Sequence, residues 1–293
     1  MLSILIPVKN FNCSRLIEAL HEQGEALGFP YEILIAEDGT EKSNLHFNSI
    51  ADTLTNCRRI VKDFNIGRAA IRNLLAAEAQ HPSLLFIDCD AVVEKEDFLK
   101  TYASALKSHK VVCGGLYHAK SIPNRHCTLR YIYEKKADKT RDALTRSKAP
   151  YSRFTSFNFA IDKALFNSIL FDTSITRYGY EDVLFGKELE RRHIEIQHID
   201  NPLLHSGLEE NAVFLEKTEQ ALLTLDDIKE KIGSTPLLET VNSLNSCHLT
   251  GLFMKYWKCN RERLRKNLLS NNPSLLKFNI YKLGYYLSLS RQQ

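Results

Sequence analysis

Short, continuously apolar runs alternate with stretches whose apolar residues recur at helical spacing, up to about residue 205. Residues 2–7, 31–36 and 84–87 read as buried strands, and Pro7 ends the first because it has no N–H to give to a ladder. Between them, residues 14–27 place Leu16, Ile17, Leu20 and Leu27 on one helical face, with Ser14 as the expected N-cap. A second helix is expected from Asn65 to about Gln80, with Ile71, Leu74 and Leu75 turned inward. Further along, the pattern predicts a helix over 96–107, strands over 110–114 and 195–199, an apolar strand within 156–163, and an amphipathic helix after Glu181 that buries Val183, Leu184 and Leu189. Strands and helices in alternation predict an α/β fold, a mainly parallel sheet with crossover helices. From Glu209 the alternation stops: residues 212–231 are amphipathic and helical, Gly233-Ser234-Thr235-Pro236 breaks them, and the remainder is again helical.

A chain of 293 residues, 44% hydrophobic and 25% charged, has the composition of a globular protein able to bury a full core. Its net charge of +4 is unevenly placed. Residues 250–293 hold nine Lys/Arg, Arg291 among them, against the single acid Glu262, so the rest of the chain is net negative. Seven scattered cysteines without a C-x-x-C pair argue against a zinc ribbon or a disulfide framework and suit a reducing cytosol. The first residues carry neither a basic lead-in nor a signal-like apolar core, and no apolar run approaches the roughly 18 residues of a membrane span. A cytoplasmic location is therefore expected.

The chemistry collects at strand ends. Asp88 and Asp90 follow the apolar run 84–87. If the strand continued that far, its two-residue period would point both carboxylates the same way, where like charges need a cation beside them. Hard oxygen ligands favour Mg²⁺ or Mn²⁺ bound together with phosphate. Glu37-Asp38-Gly39-Thr40 repeats the arrangement at the end of the second strand, so both acidic ends are expected in one crevice at the carboxyl edge of the sheet. Arg68 and Arg72 share one face of the helix opening near Gly67, where free N–H groups and two guanidinium groups suit a diphosphate; the alternative is a solvated pair on a surface helix. Residues 118–153 are polar and basic, read either as a flap over a site or as an exposed helix between loops. Glu181-Asp182 follows Gly179-Tyr180 at a helix start, where acids also serve as capping residues.

Four segments, Ile4-Leu5-Ile6-Pro7-Val8-Lys9-Asn10, Ile33-Leu34-Ile35-Ala36-Glu37-Asp38-Gly39-Thr40, Asn65-x-Gly67-x-x-x-x-Arg72-Asn73 and Phe86-Ile87-Asp88-Cys89-Asp90, stand in the order and rough spacing of glycosyltransferase family 2, which the chain resembles over about residues 2–207. The resemblance implies the GT-A fold, a Rossmann-like mixed sheet flanked by helices, over 1–208, with a nucleotide-sugar-binding half (1–115), an acceptor-facing half (116–208) and a helical C-terminal extension (209–293). It implies an inverting transfer of a hexosyl or N-acetylhexosaminyl group from a nucleotide sugar, taken as a UDP-sugar, to a hydroxyl of a glycan or lipid-linked glycan in surface polysaccharide synthesis. By resemblance, Pro7, Glu37 and Asp38 contact the nucleoside, Arg68 faces the diphosphate, Asn65 and Gly67 belong to the same donor-binding set, and Asp88 lies near ribose and metal. Asp90, with Asp88 and His205, holds Mn²⁺ or Mg²⁺; the other nine histidines are given no role. Asp182 is the expected catalytic base and Glu181 positions the acceptor, with the reverse pairing open. Lys9 departs from the tyrosine common at its place.

Two other function classes are consistent with the same residues. Another nucleotide-sugar or nucleotidyl enzyme predicts a glycine-rich phosphate loop near the N-terminus, and residues 1–20 hold no glycine. A non-catalytic nucleotide-sugar or glycan-binding module would keep the fold without needing Asp90 or Asp182. The tail, which interleaves aromatics with Lys and Arg, suits an anionic membrane surface on the inner face of the membrane, or packing on the catalytic domain or a second subunit. No motif supports nucleic-acid binding.

Overall fold

The computed structural model describes residues 1–122 and 124–289, so Arg291 lies outside the described residues. Two compact units are formed. The first comprises Met1–Ala119, Asp138–Thr176 and Glu181–Gly207, and the second comprises Lys120–Ala137, Arg177–Tyr180 and the chain from Leu208 onward. A simple cut at residue 208 thus differs from the observed division, because residues 120–137 and 177–180 join the C-terminal segment.

In chain order the first unit contains β1 (Leu2–Val8), α1 (Ser14–Glu25), β2 (Tyr31–Asp38), a 3-10 segment (Lys42–Asp52), β3 (Cys57–Lys62), α2 (Arg68–Glu78), β4 (Ser83–Ile87), β5 (Ala91–Val92), α3 (Phe98–Ala105), β6 (Val111–Cys113) and β7 (Leu116–Tyr117). α4 (Thr128–Asp138) lies in the second unit except for its last residue. The first unit then resumes with α5 (Ala143–Ser147), β8 (Asn158–Asp162), α6 (Lys163–Ile169), α7 (Glu181–Arg191), β9 (Gln197–His198) and β10 (Leu203–His205). Seven strands form one sheet in the order β3-β2-β1-β4-β8-β6-β9. β1 to β4 run parallel, and β8 is antiparallel to both its neighbours β4 and β6. This is the expected mixed, mainly parallel α/β architecture.

The two-residue period of each strand divides its side chains between two cores. Ile4, Ile6, Ile33, Ile35, Leu85 and Ile87 pack with Leu16, Ile17 and Leu20 of α1 and Phe98, Leu99 and Tyr102 of α3. On the opposite face Leu5, Leu34, Leu84 and Phe86 pack with Ile71 and Leu75 of α2, Phe166 of α6 and Phe185 of α7. There Phe86 stacks on Phe159 with centroids 4.9 Å apart, and Phe171 stacks on Phe185 at 4.5 Å. These contacts fix α2 and α7, which carry the polar residues described below, against the sheet.

Local departures have local causes. Cys13, not Ser14, is the N-cap of α1, since Ser14 is already helical and its hydroxyl bonds Asn12 Oδ1 at 2.8 Å. β4 stops at Ile87, and Asp88 instead enters a turn in which its carbonyl accepts from Ala91 N at 3.1 Å. The period-two alignment expected for Asp88 and Asp90 therefore does not apply. A second, three-stranded sheet was not foreseen: β10 pairs antiparallel with β5 and parallel with β7.

In the second unit α8 (Asn211–Ile232), α9 (Pro236–Ser246), α10 (Thr250–Leu268) and α11 (Leu275–Leu289) follow one another. Gly284 of α11 lies against Trp257 of α10, and Tyr281 donates to Glu219 Oε1 of α8 at 2.6 Å. The basic segment around residue 130 folds as α4 here, where Arg130 pairs with Glu209 at 2.5 Å and Tyr133 lies edge-on to Phe278. Among the described residues no helix is long and apolar enough to cross a membrane.

Candidate active site

The polar residues singled out by sequence gather at the carboxyl ends of β1, β2 and β4, the edge where open parallel sheets bind ligands. β2 exits through Asp38 and Gly39. Asp38 Oδ1 accepts from Ile66 N at 2.6 Å and Oδ2 from Gly67 N at 3.2 Å, so its carboxylate ties the strand end to the loop that starts α2. Asn65 Nδ2 donates to the Asp38 carbonyl at 3.3 Å. Gly39 has φ +66° and an added Cβ would stand 2.4 Å from Asn65 N, so this close approach requires glycine. Pro7 is half-buried beside them on β1, paired in register with Ala36.

Glu37 behaves differently from the expectation. It is fully buried, with one carboxylate oxygen accepting from Thr40 Oγ1 at 2.6 Å and the other from Asn48 Nδ2 at 2.9 Å. With both oxygens engaged inside the fold, Glu37 supports the end of β2 and presents no carboxylate to solvent. Asn48, which also accepts from Cys13 N at 2.9 Å, carries no sequence signal that would have marked it.

The two arginines of α2 part company. Arg72 is 2% exposed; it donates to Asp88 Oδ1, and its Nη1 donates to the Arg68 carbonyl at 3.0 Å. It is thus unavailable to a diphosphate, contrary to the paired-guanidinium expectation. Arg68 keeps part of its side chain in solvent; Nε donates to Glu181 Oε1 at 2.5 Å and Nη2 lies 3.6 Å from Asp88 Oδ2. Arg68 therefore links the end of β4 to the start of α7.

Asp88 is consequently held by two arginines and not beside Asp90. Asp90 instead meets His205, whose Nε2 lies 2.9 Å from Asp90 Oδ2. The register explains the meeting: β10 places His205 opposite Ala91, next to Asp90. Ser206 clamps the same turn, its N and Oγ both donating to the Asp90 carbonyl at 3.0 and 2.8 Å. Gly207 follows, and a Cβ there would stand 2.1 Å from Asp90 Oδ2. A carboxylate oxygen and an imidazole nitrogen directed at one another fit a divalent cation of the Mn²⁺ or Mg²⁺ type, whose sites use few protein ligands and leave room for substrate phosphate. Asp88 does not complete a three-residue cage, and among the described residues no group of three or more His, Cys, Asp or Glu side chains is placed to hold a metal.

β10 also pairs with β7, setting Leu204 beside Tyr117 and so bringing His118 next to His205. His118 Nε2 is 3.0 Å from His205 Nδ1, a contact that no spacing in the sequence announced.

Glu181 and Asp182 form the first turn of α7. Burial would raise the Glu181 carboxyl, but the charges of Arg68 and Arg72 outweigh it and hold Glu181 below the usual glutamate range. Asp182 is half-buried, and its Oδ1 accepts from Val183 N at 2.8 Å. Loss of solvent, followed by the neighbouring Glu181 charge, pushes its carboxyl up to about 6. Two adjacent acids are thus driven apart, one ion-paired and one poised near neutrality, the pattern by which a single site separates an electrostatic role from a base.

Comparison with known proteins agrees with this architecture. Residues 3–171 match the profile of a family described as Glycosyl transferase family 2. Chondroitin synthase of Pasteurella multocida (strain Pm70) is 23% identical over 266 residues, which cover 79% of this chain and 27% of that protein. The chain thus spans about a quarter of that relative. A mannosyltransferase of Pyrobaculum calidifontis, solved with GDP-Man and Mn2+, superposes with a TM-score of 0.55 at 13% identity, over 80% of this chain and 65% of the other. S. aureus TarS residues 1–349 superpose with a TM-score of 0.52 at 16% identity, over 100% and 92%. The profile match, over more than half of its length, shows that the chain belongs to glycosyl transferase family 2.

Proposed function

We propose that this chain is a metal-dependent, inverting glycosyltransferase that moves a sugar from a UDP-sugar to a hydroxyl of a glycan or lipid-linked glycan, in polysaccharide synthesis. This reading is carried by the Asp90–His205 couple after β4, with Asp182, whose carboxyl is pushed up to about 6, next to the Glu181 that Arg68 ties to Asp88 at the same strand end. Solved structures of similar fold contain GDP-Man with Mn2+, or UDP-GlcNAc, which supports a nucleotide-sugar donor.

In this reading Asp90 and His205 hold the cation, which when bound supplies positive charge to the donor diphosphate. Arg68, whose side chain is partly exposed, brings positive charge to the same phosphates. Pro7, Asp38, Asn65 and Gly67 line the nucleoside side, with Glu37 as support behind them. Asp88, neutralised by Arg72 and Arg68, orients Arg68 and faces the ribose. Asp182 accepts the proton of the acceptor hydroxyl as the hydroxyl oxygen attacks the anomeric carbon and the bond from that carbon to the β-phosphate oxygen breaks, UDP leaving with the electron pair; inversion requires one such carboxylate base. Glu181, ion-paired to Arg68, fixes that arginine and keeps Asp182 basic.

The second unit carries an exposed surface of its own. α10 buries Met254, Trp257, Leu264 and Leu268 and exposes Leu252 and Tyr256 among Lys255, Lys258, Arg263 and Lys266. Aromatic and basic residues on one exposed surface support peripheral contact with an anionic lipid face from the cytoplasm. Co-sedimentation with anionic liposomes at low salt, lost at high salt, is expected; no co-sedimentation at low salt would refute it. For the reaction itself, incubation with a panel of UDP-sugars and glycan acceptors should release UDP only when Mn²⁺ or Mg²⁺ is present. UDP release unaffected by chelation would overturn the metal-dependent reading.

A further inference from the structure

Behind the Asp90–His205 couple runs a chain of polar contacts that the reading above does not use. Asp138, the last residue of α4, places Oδ1 2.9 Å from His118 Nδ1 and its other oxygen 3.2 Å from the His118 backbone N–H. His118 is 1% exposed. Its Nε2 lies 3.0 Å from His205 Nδ1, and His205 Nε2 lies 2.9 Å from Asp90 Oδ2. Arg141 Nη1 pairs with the same Asp138 oxygen at 3.0 Å and lies 3.2 Å from His118 Nδ1. Phe157 and His118 both stand edge-on to the His205 ring, at centroid distances of 5.1 Å, and restrict its rotation.

The protons of this chain follow from what each group can accept. An ion-paired carboxylate accepts, so Asp138 takes the Nδ1–H of His118. His118 Nε2 then presents a lone pair and accepts the Nδ1–H of His205. His205 is left with a lone pair on Nε2, aimed at an Asp90 oxygen that is also an acceptor. Two acceptors at hydrogen-bond distance repel unless a cation or a proton stands between them. Running the protons the other way would give His205 an Nε2–H for Asp90 and let Arg141 Nη1, 3.2 Å from His118 Nδ1, donate to that nitrogen. The shorter 2.9 Å contact of Nδ1 with Asp138 Oδ1 would then set two acceptors against each other; with Nδ1 protonated, Asp138 Oδ1 accepts from both His118 and Arg141.

We propose that His118 and Asp138 are positioning residues for the cation site: together they fix the tautomer and ring orientation of His205 so that Nε2 is presented as a metal ligand. The inference rests on the cation site proposed for Asp90 and His205. Removal of groups that orient a ligating histidine from behind typically weakens metal binding by about 10- to 100-fold.

The test is calorimetric titration of Mn²⁺ alone into the full chain, for the wild type and for His205→Ala, His118→Phe, His118→Gln and Asp138→Asn, with thermal melting of each metal-free protein measured alongside. Wild type should bind Mn²⁺ and His205→Ala should not. His118→Phe, which keeps the buried ring but cannot accept from His205 Nδ1, should bind about 10- to 100-fold more weakly. His118→Gln, whose amide oxygen can replace the Nε2 acceptor, should recover most of that loss although it packs less well than Phe. A merely structural role predicts the reverse order, with affinity following melting temperature. If His118→Phe does not fold, Asp138→Asn and His118→Gln carry the comparison, the former weakening Mn²⁺ binding and the latter largely preserving it. Tight Mn²⁺ binding by folded His118→Phe or by Asp138→Asn, with His205→Ala inactive in binding, would overturn the proposal alone. Absence of binding by the wild type, or its retention by His205→Ala, would overturn the cation site beneath it.

Discussion

Replacing Asp182 by Asn should make the protein less active and more stable, and the two effects have one origin. The Asp182 carboxyl sits at about 6 where its ordinary value is 3.8, because burial and the adjacent Glu181 both penalise its charge. Such a displacement corresponds to about 3 kcal/mol between the two protonation states, reduced to about 2–3 kcal/mol by the partial exposure of the side chain. The sign is fixed by linkage: a raised carboxyl favours the fold below about 3.8, and that advantage is lost as pH rises through about 6. Asn carries no charge at any pH. The stability of Asp182→Asn minus that of wild type should therefore rise between pH 4 and 7 and level off about 2–3 kcal/mol higher at pH 8. Denaturant unfolding of the metal-free protein across this range gives the difference directly. Sugar transfer should fall by about 10²- to 10⁴-fold, as expected for loss of a base, while UDP binding persists. In wild type, kcat/KM should decline below about pH 6. A stability difference that stays flat with pH, or near-wild-type turnover by the variant, would refute the assignment of Asp182.

Three further outcomes follow from contacts elsewhere in the first unit. Arg72→Met leaves Asp88 without its buried partner and should cost about 3–5 kcal/mol in urea unfolding; a loss under about 1 kcal/mol would show that Arg68 alone suffices. Gly207→Ala places a Cβ where Asp90 Oδ2 now lies, and should weaken Mn²⁺-dependent UDP binding by about tenfold or more while metal-free melting changes little; unchanged binding would mean that the loop yields without moving Asp90. His198 is buried as the neutral ring, accepting from Arg146 Nη1 at 2.6 Å and donating to the Pro150 carbonyl at 3.0 Å. Burial lowers it from 6.5 to about 4, so its contribution is present above 6.5 and lost as pH falls through about 4. Wild type should lose about 2–3 kcal/mol more than His198→Gln between pH 7 and 4.5, measured by denaturant unfolding; parallel pH profiles would contradict this.

Much of this was legible before any coordinates. Apolar runs marked β1, β2 and β4 because buried parallel strands must be apolar on both faces, and Asp38 and Asp90 stand out as candidates because acids at strand ends break that pattern, whereas Asp182 is singled out by the family resemblance. β3 escaped notice: as an edge strand paired only with β2, its Cys-Arg-Arg-Ile-Val-Lys carries no continuous apolar signal. Side-chain allegiance was the harder problem. Arg68 and Arg72 look equivalent in sequence, yet one helical turn separates a partly exposed side chain from a buried one. Asp88 and Asp90 look like a metal pair, yet the turn after Ile87 sends them to different partners. His118 is a lone histidine until β7 and β10 pair in parallel, and that pairing, two residues long in each strand, has no local signature.

The central claim is a cation-bridged nucleotide site at Asp90, and calorimetric titration of UDP with and without Mn²⁺, in wild type and Asp90→Ala, tests it most directly. Mn²⁺ should strengthen UDP binding in wild type and leave it unaffected in Asp90→Ala. UDP binding indifferent to both the metal and Asp90 would contradict it.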